Sequence, residues 1–308
     1  MNLNSWHYRL IIWSAIISAL SYLVIILLSE WKDVFIALKQ VGISGIFIAL
    51  TLSLVNYLLR FFRWQMYLIS MNCEISFWLN LRIYIAGFAL TATPGKSGEM
   101  IRGLLLKPYG VKLSKSLSAF LSERLSDLLA ILILALFGLT SYPKTQVISI
   151  AGLIVVLLFF FLVSSNFFLG YLYLKIRKKS YGFLFLRKVF KFLVQVRNCH
   201  NPFLIIKASV LSLIAWTAEA FALYTILLFL DVELNISFVI FIYAISMLAG
   251  AISFIPGGLG ATEAVMISIL IWKGVGKPEA VASTLIIRLT TLWFAVVLGV
   301  ISLSFFKK

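Results

Sequence analysis

The sequence predicts an all-α polytopic membrane protein with two inverted repeats, each containing a Pro-Gly-broken re-entrant pair of half-helices. Three observations carry this expectation. The 308 residues are 62% hydrophobic and only 12% charged, against roughly 45–50% and 25% in soluble domains. The basic residues behind the net charge of +16 cluster in short loops between apolar runs. That pattern suits inside-facing loops near anionic head groups and argues against a nucleic-acid partner. Finally, an ordered set of motifs occurs twice.

The first apolar run, 10–28, is too long for the core of a signal peptide. It ends in Ser29-Glu30-Trp31 rather than a small-residue cleavage site, so it reads as a span. Further spans are expected at 43–62, 117–140, 148–174, 203–230 and 280–305, each near the roughly 20 residues a crossing needs. Runs 77–93 and 237–255 end at Pro94-Gly95 and Pro256-Gly257, and short apolar pieces follow at 99–106 and 263–272. Such interruptions persist at membrane depth only where protein or water satisfies the freed backbone groups.

Charge orients these elements. With the N-terminus inside, the inner loops carry Arg60, Arg63, Arg82, Arg102, Lys107, Lys112 and Lys115, then a dense basic run from Lys175 to Lys207. Lys307-Lys308 also falls inside, whereas the outer loops hold only Lys32, Lys39, Lys144, Lys273 and Lys277. Both termini are therefore expected in the cytoplasm and the chain in the inner membrane. Cys73 and Cys199 fall in inner loops, and no disulfide framework is expected.

The repeat sets the architecture. Ile75-Ser76-Phe77 and Ile236-Ser237-Phe238 open the two broken segments. Each runs to a Pro-Gly turn: Pro94-Gly95-Lys96-Ser97-Gly98-Glu99, then Pro256-Gly257-Gly258-Leu259-Gly260-Ala261-Thr262-Glu263. Glu99 precedes Arg124 by 25 positions, and Glu263 precedes Arg288 by the same 25. One span, 148–174, separates repeats of about 43–140 and 203–305, so the copies are expected to be inverted within a single domain, 1–308.

Glu99, Glu123, Arg124, Asp127, Glu219, Glu263 and Arg288 fall at membrane depth or its border, and Arg102 of the inner loop joins them as a candidate substrate-binding residue. Each Asp, Lys or Arg at a helix centre costs about 2.5–3.5 kcal/mol on an insertion scale, so these groups must pair or face a wet cavity. Glu123, Arg124 and Asp127 are spaced to compensate one another along one helix. Glu219 has no partner within a turn of its own helix, leaving an arginine elsewhere or a protonated, proton-coupling carboxyl. Glycines at the two turns (Gly95, Gly98, Gly257, Gly258, Gly260) allow backbone to approach a ligand. The half-helix starts beyond them suit a phosphate, which Lys96, Arg124 and Arg288 would complete; alternatively Glu99 and Glu263 cap those half-helices.

Other chemistry finds little support. Gly95-Lys96-Ser97 resembles the end of a phosphate-binding loop, but Leu90 stands where its first glycine belongs. His7 and His200 lie outside the core, which leaves serine nucleophiles without a base and offers no His-rich metal site. The expectation is a non-enzyme without cofactor or metal.

Thr93-Pro94-Gly95-Lys96-Ser97-Gly98-Glu99, Glu123-Arg124-Leu125-Ser126-Asp127 and Ile255-Pro256-Gly257-Gly258-Leu259-Gly260-Ala261-Thr262-Glu263 together resemble the lysylphosphatidylglycerol synthase transmembrane-region family. The resemblance covers nearly the whole chain. It implies a flippase domain that moves a phosphate-bearing lipid, either an aminoacyl-phospholipid or a polyprenyl-phosphate-linked sugar. Nothing follows Lys308, so synthesis of the lysyl-lipid itself is not expected. The rival readings are an ion-coupled transporter of small anions and a non-catalytic partner of a membrane glycosyltransferase or lipid-modifying enzyme.

Overall fold

The computed structural model describes residues 31–93, 98–138 and 201–306, with positions 150, 151, 154 and 158 of a further helix. The expected span 10–28, nearly all of 148–174, and Pro94, Gly95, Lys96 and Cys199 lie outside the described residues. What is described is helical throughout, without strands. The order is α1 Trp31–Ser70, α2 Phe77–Gly87, α3 Ile101–Leu106, α4 Leu113–Gly138, α5 Pro202–Phe229, α6 Ile236–Ile252, α7 Ala261–Trp272, α8 Lys277–Arg288 and α9 Phe294–Ser304.

Among the described residues, three apolar stretches are long enough to cross a bilayer: Lys32–Ser70, Phe203–Phe229 and Lys277–Ser304. The protein is therefore a multi-pass membrane protein. The last stretch is one continuous rod, because α8 passes into α9 through a π-turn at Leu289–Trp293. The apolar helices Phe77–Leu90 and Ile236–Ile252 are shorter. At 1.5 Å per residue they rise roughly 21–26 Å, less than the roughly 30 Å hydrocarbon core.

α1 departs from the sequence reading. Its expected span, 43–62, extends to Trp31–Ser70, with a kink at Gly42, whose φ is +62°. Arg60 and Arg63 therefore do not sit in an inner loop. They lie in mid-helix and are 4% and 0% exposed. Arg102, also assigned to a loop by its charge, is 1% exposed.

Small residues let α1 and α5 lie close along one another. Ala49 and Ser53 on α1 and Ala208, Ser212, Ala215 and Ala222 on α5 are wholly buried, as is usual where helices pack without a hydrophobic drive. Asn56 Nδ2 donates across this seam to the Ala215 carbonyl at 2.8 Å. Around that pair, α6 packs on α4 and α9 packs on α2. Asn201 and Asn235 cap α5 and α6, accepting from Phe203 N at 3.1 Å and Ser237 N at 2.9 Å.

Cys73 lies in the turn between α1 and α2 and is buried. Burial pushes its thiol up, against the opposing pull of the Lys115 ammonium. Thiolate is the reactive form, so Cys73 should label slowly with a charged maleimide whichever side it faces. Orientation should instead be read from a cysteine at exposed Glu74. In a cysteine-free background, labelling of Glu74→Cys only after permeabilisation is the expected outcome, and rapid labelling of intact cells would reverse the assigned orientation.

Candidate functional site

The polar centre begins on α4, where Ser118 and Ser126 return their hydroxyls to carbonyls one turn back, at 2.9 and 3.0 Å. Such short side chains leave room for long ones from neighbouring helices. Arg63 of α1 enters this space. Its Nη1 lies 2.6 Å from Asp127 Oδ1 and also bonds the Ser212 hydroxyl, while Nη2 is 3.6 Å from Glu123 Oε1. Trp216 Nε1 donates to the same Asp127 oxygen at 2.9 Å.

Arg102 of α3 closes a second knot. Its Nη1 reaches Glu123 at 2.9 Å, its Nη2 reaches Glu99 at 2.8 Å, and its Nε donates to the Glu99 carbonyl at 3.1 Å. Its guanidinium lies 4.4 Å from the Trp64 ring centroid and 4.6 Å from that of Tyr84. Gly87 makes this path possible, since a Cβ there would fall 2.7 Å from Arg102 Cγ. With all three nitrogens engaged, Arg102 acts as a tie between helices.

The second half holds a matching pair. Arg288 Nε lies 2.7 Å from Glu263 Oε1, and Arg288 Nη2 donates to the Gly257 carbonyl at 2.7 Å. The other Glu263 oxygen accepts from Gly260 N at 2.6 Å. Gly257 and Gly258 both have positive φ, +63° and +67°, a geometry that side-chain-bearing residues rarely adopt. They carry the chain from Pro256 through a tight turn into α7. The start of α7, expected to suit a phosphate, is thus already capped by a carboxylate. A phosphate placed there would meet a like charge.

One further expectation changes. Glu123 does not pair within α4: its arginines come from α1 and α3, because Arg124 points instead toward Asp127 and Glu99, at 3.4 and 3.5 Å. Glu219 accepts a hydrogen bond from the Tyr243 hydroxyl on α6.

Between α4, α6 and the 255–262 turn lies a cavity of about 280 Å³. Leu128, Ile131, Leu248, Ala251 and Ile255 make its wall apolar, while Arg124 and Asp127 supply charge. A smaller space of about 30 Å³ shares Trp216, Met247 and Gly257 with it, and is lined by Tyr57, Arg60, Glu219, Arg288 and Thr291. It has room for about one water. The π-turn contributes here, since the Thr291 carbonyl accepts from the Tyr57 hydroxyl.

Arg60 was missed as a site residue. It lies behind Asp127, with Nη2 3.9 Å from Oδ2, while Arg124 Nη2 approaches the same oxygen at 3.4 Å. Neither contact is a hydrogen bond, and Asp127 Oδ2, Arg60 Nε and Nη2, and Arg124 Nε and Nη2 have no hydrogen-bond partner among the described residues. Buried polar groups are normally satisfied. An Arg-x-x-Arg pair one turn apart between aromatic residues was the available signal: Arg60-Phe61-Phe62-Arg63-Trp64.

A family model described as the lysylphosphatidylglycerol synthase TM region matches residues 11–299. The chain belongs to this family. A UPF0104 membrane protein of Pyrococcus horikoshii is 24% identical across 89% of this chain and 92% of its own length. One from Methanocaldococcus jannaschii is 29% identical across 70% of this chain and 92% of its own. A phosphatidylglycerol lysyltransferase of Staphylococcus epidermidis is 28% identical, but across only 34% of this chain and 13% of its own length.

The two arginines of α4's neighbourhood should differ in their effect on stability. Arg63→Ala leaves Asp127 and Glu123 short of a buried cation and should cost about 3–5 kcal/mol. Arg124 is partly exposed, with long contacts, and Arg124→Ala should cost roughly 1 kcal/mol or less. Asp127 keeps Arg63 and Trp216 in that variant, so it is not stranded. Thermal unfolding followed by size-exclusion chromatography checks the order; equal losses would contradict it.

Proposed function

We propose that the protein translocates a phosphate-bearing lipid, binding the phosphate between Arg60 and Arg124 while the chains occupy the apolar cavity wall. One observation carries the reading: Arg124, on the largely apolar 280 Å³ cavity, and Arg60, on the small space adjoining it, converge on Asp127 Oδ2 at 3.4 and 3.9 Å with N–H groups unspent. Guanidinium groups match phosphate oxygens in pairs, and the apolar wall matches an acyl or isoprenoid chain better than water. The family's name points to phosphatidylglycerol chemistry, and an aminoacyl-phospholipid and a polyprenyl-phosphate-linked sugar both carry the required phosphate. Such a protein would work beside a lipid-modifying enzyme or membrane glycosyltransferase in the inner membrane.

We read the chain as two inverted copies, about 43–140 and 203–305, with α2–α3 and α6–α7 as re-entrant pairs. Short helices at matching positions support this, as does reciprocal packing: α2 rests on α9, and α6 rests on α4. The matched ion pairs also differ in state. Glu263–Arg288 is closed at 2.7 Å, whereas Glu99–Arg124 stands open at 3.5 Å, with Glu99 engaged by Arg102 and Thr91. Alternating access would exchange those states, freeing Arg288 from Glu263 and the Gly257 carbonyl to take the phosphate from the opposite side.

Transport of fluorescent phosphatidylglycerol in proteoliposomes tests the reading. Arg60→Lys, Arg124→Lys and Arg288→Lys keep charge but lose the two-pronged fit, and should slow flipping on the order of tenfold while unfolding near the wild-type temperature. Exposed Arg82→Lys should leave the rate unchanged. If all three site variants fold and flip at the wild-type rate, the arginines are structural ties alone.

A further inference from the structure

We infer that Met247 is the residue that sets which head groups cross: it is the movable side of a neck between the large cavity and the small chamber beyond it. The inference rests on the lipid-translocation reading above and adds the determinant of its specificity.

The arginines stand in series. Arg124 lines the 280 Å³ cavity, while Arg60 and Arg288 line the small chamber. A phosphate held between Arg124 and Arg60 therefore stands at the boundary of the two spaces, and any step toward Arg288 carries its head group into the chamber. At about 30 Å³ the chamber has room for about one water, far less than a phosphodiester and its substituent. Passage requires the boundary to widen.

Among the described residues, three border both spaces: Trp216 of α5, Met247 of α6 and Gly257 of the 255–262 turn. Two of them are held. Trp216 donates through Nε1 to Asp127 at 2.9 Å, and its ring lies 5.9 Å from the Arg60 guanidinium. The Gly257 carbonyl accepts from Arg288 at 2.7 Å. The turn also rests directly on α6, since a Cβ on Gly250 would fall 2.1 Å from Thr262 Oγ1 and 3.3 Å from Gly258 Cα. Met247, one turn before Gly250, differs in chemistry. It is partly buried, and its unbranched thioether chain changes rotamer without a strong hydrogen bond to break. Such a change widens the neck without moving either helix.

Head-group size is the variable that tests this. Phosphatidylmethanol, phosphatidylglycerol and phosphatidylinositol carry the same singly charged phosphodiester and differ only in what it bears. Acyl-labelled forms should be flipped by full-length protein in proteoliposomes, and the ratio of phosphatidylmethanol to phosphatidylinositol rates taken for each variant. A ratio is unaffected by the fraction of protein that is folded. Wild type should favour phosphatidylmethanol, on the order of tenfold, with phosphatidylglycerol between. Met247→Ala should bring the ratio toward one, and Met247→Trp should raise it. Leu248→Ala, next along α6 but on the cavity alone, should change the three rates together and keep the wild-type ratio.

A ratio that is the same in wild type, Met247→Ala and Met247→Trp overturns the gate while leaving translocation standing. Met247→Ala decides alone should Met247→Trp not fold. Leu248→Ala moving the ratio as far as Met247→Ala also overturns the gate, because selection would then belong to the whole cavity wall. Flipping of none of the three lipids by wild type removes the translocation reading, and the inference with it.

Discussion

The structure depends on buried arginines meeting buried carboxylates across helices. Arg63 joins α1 to Asp127 and Glu123 on α4, and Arg102 joins α3 to Glu123 and to Glu99 before it. Arg288 joins α8 to the start of α7. Lipid would not tolerate any of these charges alone. Pairing makes them affordable only if the helices sit where the pairs close, so the same contacts that neutralise charge also fix the arrangement. Apolar side chains could not do this, since lipid tails compete for them equally well.

This constraint explains which parts of the molecule were legible in sequence. Helices at 202–229, 236–252 and 261–272 follow hydropathy runs closely, because apolar length is what a bilayer selects. The Glu–Arg spacing of 25 residues was read as a mark of duplication, and in the structure Glu263 meets Arg288 at 2.7 Å while Glu99 stands 3.5 Å from Arg124. Arg60 and Arg63 were hidden for a physical reason. Positive charge near the end of an apolar run normally marks a cytoplasmic loop, but α1 continues to Ser70 and turns both arginines inward. Nothing local to residues 60–63 names Asp127 as their partner. Glu123's partners were misassigned likewise, because periodicity along one helix does not show which neighbour supplies a better contact.

The candidate site stands out as the place where pairing is incomplete. Arg102 has all three guanidinium nitrogens, and Arg288 its Nε and Nη2, committed within about 3 Å, a distance at which charge-assisted hydrogen bonds form. Arg60 and Arg124 instead stand off from Asp127, Arg124 on the 280 Å³ cavity and Arg60 on the small space adjoining it. A structural tie is best closed, whereas a binding group must keep donors in reserve. In this state the contrast sets the closed Arg102 and Arg288 against Arg60 and Arg124; Arg63 bonds Asp127 and Ser212 through Nη1 and also keeps Nε and Nη2 without a hydrogen-bond partner among the described residues.

The central claim, that Arg60 and Arg124 hold a lipid phosphate, is tested most directly by native mass spectrometry of lipid that co-purifies with the protein. The account predicts that wild-type protein retains an anionic, phosphate-bearing lipid enriched over the surrounding membrane, and that Arg60→Lys/Arg124→Lys protein of equal fold loses that enrichment. Identical lipid populations on the two proteins, matching the bulk membrane, would contradict it.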